Sequence, residues 1–205
     1  MSPKIIYVEG NIGTGKSTFL KHLDDDDLKK KHNYDVIYEP VDNWQQIGIL
    51  EKFYSDPKKY CYLFQSYCLF SRFNLLDKMC DKLDYIFIER SIFSDNNIFA
   101  KGCHYLNQLN DIEYDIYKLW FDKFLSVHPN EYCHIYLQLD PEVCLQRIIQ
   151  RNRNEETGIT IEYLQLLHEK HESWLVGNST CKKIYDNTKL LNPEKVIADV
   201  KNFSF

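Results

Sequence analysis

Five short, nearly continuous apolar runs punctuate the chain: Lys4–Glu9, Asp35–Tyr38, Tyr85–Ile88, His134–Leu139 and Lys183–Tyr185. Runs this short, rich in β-branched and aromatic residues and lacking strict alternation, predict strands buried on both faces. Between them, apolar positions recur at helical spacing. One helix is predicted from Lys16 to about Leu23. A longer one covers 58–82, with Tyr60, Leu63, Phe64, Tyr67 and Phe70 marking its apolar face. Ile112 to Leu125 and about Ile161 to Leu175 give two more. Asp140 reads as an N-cap before Pro141, and Asn192-Pro193-Glu194 opens a last helix. The charge run DDDDLKKK, Asp24 to Lys31, predicts a solvated helix end or loop. Strands alternating with helices, with no repeat and no linker, predict one α/β domain over 1–205, a parallel sheet of about five strands flanked by helices.

The first predicted strand runs into Gly10-Asn11-Ile12-Gly13-Thr14-Gly15-Lys16-Ser17, followed by Thr18. This fits G-x-x-x-x-G-K-[ST] with a strand before it and a helix after it, which makes the match specific for a P-loop. The glycines let the backbone approach an anion closely, and loop N–H groups with the helix N-terminus cradle phosphates. Lys16 would reach the β- and γ-phosphates of ATP, and the Ser17 hydroxyl would ligate Mg²⁺. The motif alone leaves kinases, ATPases, GTPases and motors open.

In an open parallel sheet, chemistry gathers beyond the carboxyl ends of the strands. Two further runs end in charge there, at Glu39-Pro40-Val41-Asp42-Asn43-Trp44 and at Glu89-Arg90-Ser91. If both strands neighbour the phosphate-loop strand, Glu39, Glu89 and Arg90 face the γ-phosphate. A hydroxyl nucleophile benefits from a carboxylate that accepts its proton, and a transferring phosphoryl group needs cationic clamps. One glutamate then serves as base and the other as metal-side ligand or orienter. Arg147, Arg151 and Arg153 form a second cationic group, with Arg147 and Arg151 on one helical face. Such a cluster can close over ATP as a lid, spanning about 147–158.

Net charge is −5, so a sequence-independent nucleic-acid binder is a poor fit. No apolar run approaches the roughly 18 residues of a membrane span, and the first strand begins too early to leave room for a signal or transit peptide. Seven cysteines, an odd number with no C-x-x-C spacing, predict reduced thiols in a cytosol-like compartment. The composition, rich in Asn, Asp, Lys and Ile, points to an AT-rich genome of the kind many viruses have.

GNIGTGKST, EPVDNW, FQSYCLFSR, ERSIFSDNNIFA and RNRNEETGITIEYLQLLHEKHESWL resemble the deoxyribonucleoside kinases, particularly the deoxycytidine and deoxyguanosine kinase branch. The blocks follow in order from Lys4 to about Leu175, and the C-terminus matches loosely. The resemblance implies a P-loop kinase fold and transfer of the ATP γ-phosphate to a nucleoside 5′-hydroxyl. It implies Glu39 as general base, Glu89 with Mg²⁺, and Arg90 near the 5′-oxygen and the transferred group. It implies that Gln65 reads the base edge, with an Arg72–Asp95 pair facing the base, Phe64 and Phe99 clamping it, and Trp44 and Leu50 lining the cavity. Tyr54 and Glu156 would hold the 3′-hydroxyl. Cys68 replaces a smaller residue of the family and bears on pocket size. Asp186 and Asn187 are weak candidates for the adenine side, and the family's members are typically homodimers.

Two other readings compete. A nucleoside monophosphate kinase of thymidylate type shares the loop and the arginine lid. Its attacking phosphate oxygen is already anionic, however, and needs no base such as Glu39. A non-catalytic ATP-binding interaction protein would tolerate loss of base, metal-side acid or lid, and none is lost.

Overall fold

The computed structural model describes residues 3–76, 82–128, 131–176 and 182–203. Its centre is β1 (Lys4–Glu9), paired in parallel with β3 (Tyr85–Glu89) on one side and β4 (Tyr132–Gln138) on the other. β2 (Tyr34–Ile37) pairs with β3, and β5 (Lys182–Asp186) with β4, giving an all-parallel sheet in the order β2-β3-β1-β4-β5. The chain order therefore turns at β1, and the phosphate loop leaves the sheet at that switch point. Only one of the two acid-tipped strands neighbours β1. β2 is one strand further out, so Glu39 reaches the centre from the segment beyond its strand.

Alternate residues of β1 and β3 feed opposite faces. Ile5, Tyr7, Ile86 and Ile88 pack beneath α5 (Pro57–Phe73) and α8 (Asp111–Leu125). Ile6, Val8 and Phe87 pack with Phe19, Leu20 and Leu23 of α1 (Lys16–Leu23) and with Val196, Ile197 and Val200 of α11 (Pro193–Lys201). Burial on both faces is why these strands show no alternation.

The charge run becomes α2 (Asp26–His32), capped by the Asp25 side chain and burying no residue. Two short helices, α3 (Val41–Gln46) and α4 (Ile49–Ser55), have no counterpart in the sequence reading. After β3, α6 (Ile92–Ser94) widens into a π-helical stretch at Asp95–Ala100 and continues as α7 (Lys101–Tyr105). Asp140 caps α9 (Pro141–Arg151) through the Glu142 N–H, as expected. α10 (Ile161–His171) passes into a π-helical turn at Glu172–Val176.

The predicted helix over 58–82 ends as α5 at Phe73, and residues 77–81 lie outside the described ones. Its face is also corrected. Leu63 and Phe70 are exposed, whereas Cys61, Phe64, Gln65, Cys68, Leu69 and Arg72 form the buried stripe. The polar Gln65 and Arg72 on that stripe hid it from a hydrophobic pattern. Cys61, Cys68, Cys103 and Cys144 are buried free thiols. Cys133 departs from the expectation of reduced thiols, being disulfide-bonded, and Cys80 and Cys181 lie outside the described residues. Among the described residues no helix is long and apolar enough to cross a membrane.

Candidate active site

The loop between β1 and α1 has the geometry its glycines allow. Gly13 has φ +81°, and a Cβ there would lie 2.5 Å from the Cys144 carbonyl of α9. Loop and α9 are thus packed too closely for a side chain. The Asn11 amide donates to the Leu164 carbonyl at 2.8 Å, and the Thr14 hydroxyl to the Asn11 carbonyl at 3.0 Å. Lys16 curls back over the loop and donates to the Gly10 and Asn11 carbonyls at 3.1 and 2.8 Å. Arg147 from α9 donates to the Thr14 carbonyl at 2.9 Å and to the Asn187 carbonyl, while the Asn187 amide donates to Thr14 as well. Asn187 therefore braces the loop, and Asp186 turns to the Thr188 N–H.

A cavity of about 510 Å³ opens beside this loop. Its phosphate end is lined by Ile12, Gly13, Gly15, Lys16, Ser17 and Thr18, and Glu89 and Arg90 stand at its waist. All the residues expected to bind nucleoside line it: Glu39, Trp44, Leu50, Tyr54, Phe64, Gln65, Cys68, Arg72, Asp95, Phe99 and Glu156. So do Arg147, Arg151 and Arg153. Gly10, Asn11 and Thr14 stay behind the loop surface. The Ser17 hydroxyl donates to Glu89 at 2.6 Å, so the two groups expected on the metal side meet. Among the described residues no group of three or more His, Cys, Asp or Glu could hold an ion. One hydroxyl and one carboxylate still suit Mg²⁺, which keeps waters and takes other oxygens from phosphates.

The buried centre is a chain of charges. Arg72 Nε donates to Asp95 Oδ2 at 2.8 Å and its Nη2 to Glu39 Oε1 at 2.9 Å, and Arg90 Nε lies 3.4 Å from the same Glu39 oxygen. Arg72 lies over the Trp44 ring at 5.4 Å, and Arg90 over Phe99 at 4.7 Å. In the lid, Glu156 is buried and takes Arg151 on one oxygen and Arg153 on the other, the latter at 2.9 Å. Gln45 of α3 donates to the neighbouring Glu155 at 2.8 Å, which ties the lid to the wall beside Trp44.

The sequence matches the family model described as deoxynucleoside kinase over residues 6–203. It is 36% identical over 210 residues to mouse deoxycytidine kinase, covering 89% of this chain and 79% of that one. It is 37% identical over 180 residues to the "Probable deoxycytidine kinase" of Fowlpox virus (strain NVSL), covering 86% and 73%. Against the mitochondrial deoxyguanosine kinase of Xenopus laevis it is 33% identical over 225 residues, covering 95% and 83%. The chain belongs to the deoxynucleoside kinase family.

In this deoxynucleoside kinase, burial alone would raise the Glu39 pKa, but Arg72, Arg90 and Lys16 together outweigh it and hold the carboxyl below its usual range. Glu39 is therefore ionised at neutral pH and able to accept a proton. Burial raises Asp95 against the opposing pull of Arg72. Its Oδ1 is buried and has no hydrogen-bond partner among the described residues. Burial, with Arg90 adding to it, lowers Lys16 to about 7, a cost that a bound polyphosphate would remove.

The sequence reading missed Phe53, which stacks on Phe64 with ring centroids 4.6 Å apart, and also Val41 and Tyr163, which line the same cavity. Phe53 and Val41 lie on the two short helices that it did not foresee. Tyr163 sits in the quoted block ITIEYLQLL, so the signal was present but unassigned.

Proposed function

We propose that this kinase transfers the γ-phosphate of ATP to the 5′-hydroxyl of a deoxyribonucleoside, with deoxycytidine and deoxypurines favoured over thymidine. The observation that carries the reading is Glu39. An ionised carboxylate reaches the γ-phosphate end of the cavity from the side that holds the aromatic pocket. A phosphate acceptor would not need it.

Phe64, Phe99, Trp44, Leu50 and Phe53 enclose the base, and Tyr54 with Glu156 holds the sugar 3′-hydroxyl. Glu39 then accepts the 5′-hydroxyl proton as that oxygen attacks phosphorus. Arg90 and Lys16 face the charge developing on the equatorial oxygens, and Arg151 and Arg153 close over them from the lid. Ile12, Gly13, Gly15, Lys16, Ser17, Thr18 and Arg147 hold the donor phosphates. Ser17 and Glu89 would hold Mg²⁺, whose charge offsets that of the β- and γ-phosphates when bound.

The base preference rests on Asp95 and Gln65. The partnerless Asp95 Oδ1 would accept from the exocyclic amine of cytosine or adenine, whereas thymine presents a carbonyl and leaves two acceptors facing each other. Gln65 offers a donor and an acceptor for a bidentate contact. The deoxycytidine kinases among the relatives support the cytosine part of that preference, whereas guanine, with a carbonyl where adenine has its amine, would need a contact other than Asp95. Leu63 and Phe70 on α5, and Ile112, Leu119 and Trp120 on the neighbouring α8, are exposed apolar side chains, and we place a homodimer interface on these two helices.

The test offers each deoxynucleoside, and each monophosphate, with labelled ATP and compares kcat/KM. Label passing to deoxycytidine ahead of thymidine, and not to monophosphates, is the expected result. A thymidine preference would overturn the base assignment, and label passing only to monophosphates would overturn the reaction.

A further inference from the structure

Glu9, the last residue of β1, is fully buried directly behind the phosphate loop and takes no part in the chemistry above. Its Oε1 accepts from the Ser91 hydroxyl at 2.5 Å, across 82 positions of sequence. Its Oε2 has no hydrogen-bond partner among the described residues. His134 Nδ1 is 3.8 Å from Oε1, but burial lowers the His134 pKa to about 3, so it supplies no countercharge. Arg90 and Arg72 attract the carboxyl only through space. A buried acid so poorly compensated is costly.

Ser91 explains what the arrangement is for. It is the N-cap of α6, its hydroxyl accepting from the Ser94 N–H at 3.2 Å while the Ser94 hydroxyl lies 3.2 Å from the Ser91 N–H. The residue before it, Arg90, has φ +62°, a left-handed conformation that a long side chain seldom adopts. Such a residue persists only where its surroundings over-determine it. On one side the Arg90 N–H donates to the Val8 carbonyl at 3.0 Å, and its guanidinium to the Gly10 carbonyl at 2.9 Å. Both acceptors flank Glu9. On the other side Ser91 bonds Glu9 itself. Three bonds from consecutive residues of β1 and the loop thus clamp two consecutive residues of the turn.

We propose that Glu9 is a positioning residue that holds Arg90 against the phosphate loop by anchoring Ser91. The inference rests on the reading of Arg90 as a group that faces the transferred phosphoryl. Without the Ser91 anchor the turn can relax toward ordinary φ, and the guanidinium swings from the loop. Nucleoside binding depends on the aromatic pocket and Gln65, so it should survive that motion, whereas turnover should not.

The experiment is a double-mutant cycle on the full chain with deoxycytidine, ATP and Mg²⁺, with nucleoside Kd measured on the same preparations to count folded sites. Glu9→Ala is expected to lower kcat by about 10- to 100-fold, the scale of a small misplacement of a reacting group, with Kd within about threefold. Glu9→Gln, whose side-chain oxygen still accepts from Ser91, should restore most of kcat. In an Arg90→Ala background, Glu9→Ala should cost little further. Equal proportional losses with and without Arg90, or a near-normal kcat in Glu9→Ala, would overturn the proposal. Should Glu9→Ala not fold, Ser91→Ala removes the same bond and carries the same cycle. If Arg90→Ala itself leaves kcat unchanged, the role of Arg90 fails, and an effect of Glu9→Ala in that case could not run through it.

Discussion

Replacing Glu39 by Gln keeps the side chain's size and removes its ability to take a proton. In the structure Glu39 Oε1 receives Arg72 at 2.9 Å and stands 3.4 Å from Arg90. The amide oxygen of Gln can still accept from Arg72. Arg72 also keeps Asp95 at 2.8 Å, so no guanidinium is stranded in the core. The fold should therefore survive, and the loss should appear in chemistry. General-base catalysis supplies about 10²- to 10⁴-fold, which corresponds to about 3–5 kcal/mol of barrier. Single-turnover phosphorylation should slow by that factor while nucleoside Kd changes little. The pH dependence gives a second constraint. Burial raises the Glu39 pKa, but Arg72, Arg90 and Lys16 bring it below the ordinary carboxylate value. A folded pKa below the unfolded one contributes stability above the unfolded value, and that contribution is lost as pH falls through the folded one. Rate loss through protonation of Glu39 should likewise begin at a lower pH than an ordinary glutamate would give. A Glu39→Gln variant turning over within about threefold of the parent, well short of the usual general-base factor, would refute the assignment.

Arg151→Ala and Arg153→Ala should each lower kcat more than nucleoside affinity, and Arg151→Lys should rescue only in part, since an ammonium lacks the two-point contact; steady-state kinetics with a binding assay decide this. Leu119→Asp should shift the chain from dimer to monomer in sedimentation without changing its far-UV spectrum. Lys16, lowered to about 7 by burial, should take up a proton as ATP binds at pH 8. Calorimetry in buffers of different ionisation enthalpy should show that uptake, and proton release or no buffer dependence would count against it. The same depressed pKa means the unfolded chain holds this proton when the ligand-free fold does not. Its contribution therefore makes the ligand-free protein more stable as pH rises from about 7 to 10.5.

How much of this was legible in the sequence depends on what each residue does locally. The phosphate loop was legible because its chemistry needs several residues in one run, with a strand and a helix on either side. β1, β3 and β4 were legible because burial on both faces leaves continuous apolar runs, and the partly buried edge strands β2 and β5 by their short β-branched and aromatic runs. The helices at 41–55 were not, since six or seven residues carry too few turns to show a period, and Phe53 was missed with them. The widened helix at Asp95–Ala100 was hidden for a related reason. A π-helical stretch shifts the register, so Asp95 and Phe99 face the cavity from a segment with no regular apolar spacing.

The most instructive failure is α5, where the apolar spacing identified a helix but put Leu63 and Phe70 on its buried side. Tyr60, Leu63, Phe64, Tyr67 and Phe70 recur at helical intervals and Phe64 is buried, yet Leu63 and Phe70 are more than half exposed. Gln65 at 2% and Arg72 at 4% exposure lie on the buried side. A pattern reading assumes that burial follows hydrophobicity. At a site that must read a polar ligand, burial follows chemistry instead, because a hydrogen bond discriminates only when water cannot replace the partner. The cavity wall must then be built from side chains that a pattern assigns to solvent, each held by another. Arg72 is held by Asp95 and Glu39, and Glu156 by Arg151 and Arg153. The displaced apolar residues occupy the opposite face of the same helix, where a second copy of the chain can cover them. On the proposed function, the exposed Leu63 and Phe70 of α5 and the exposed apolar residues of α8 would have one cause, a helix that gives its inner side to substrate recognition and leaves its outer side for assembly.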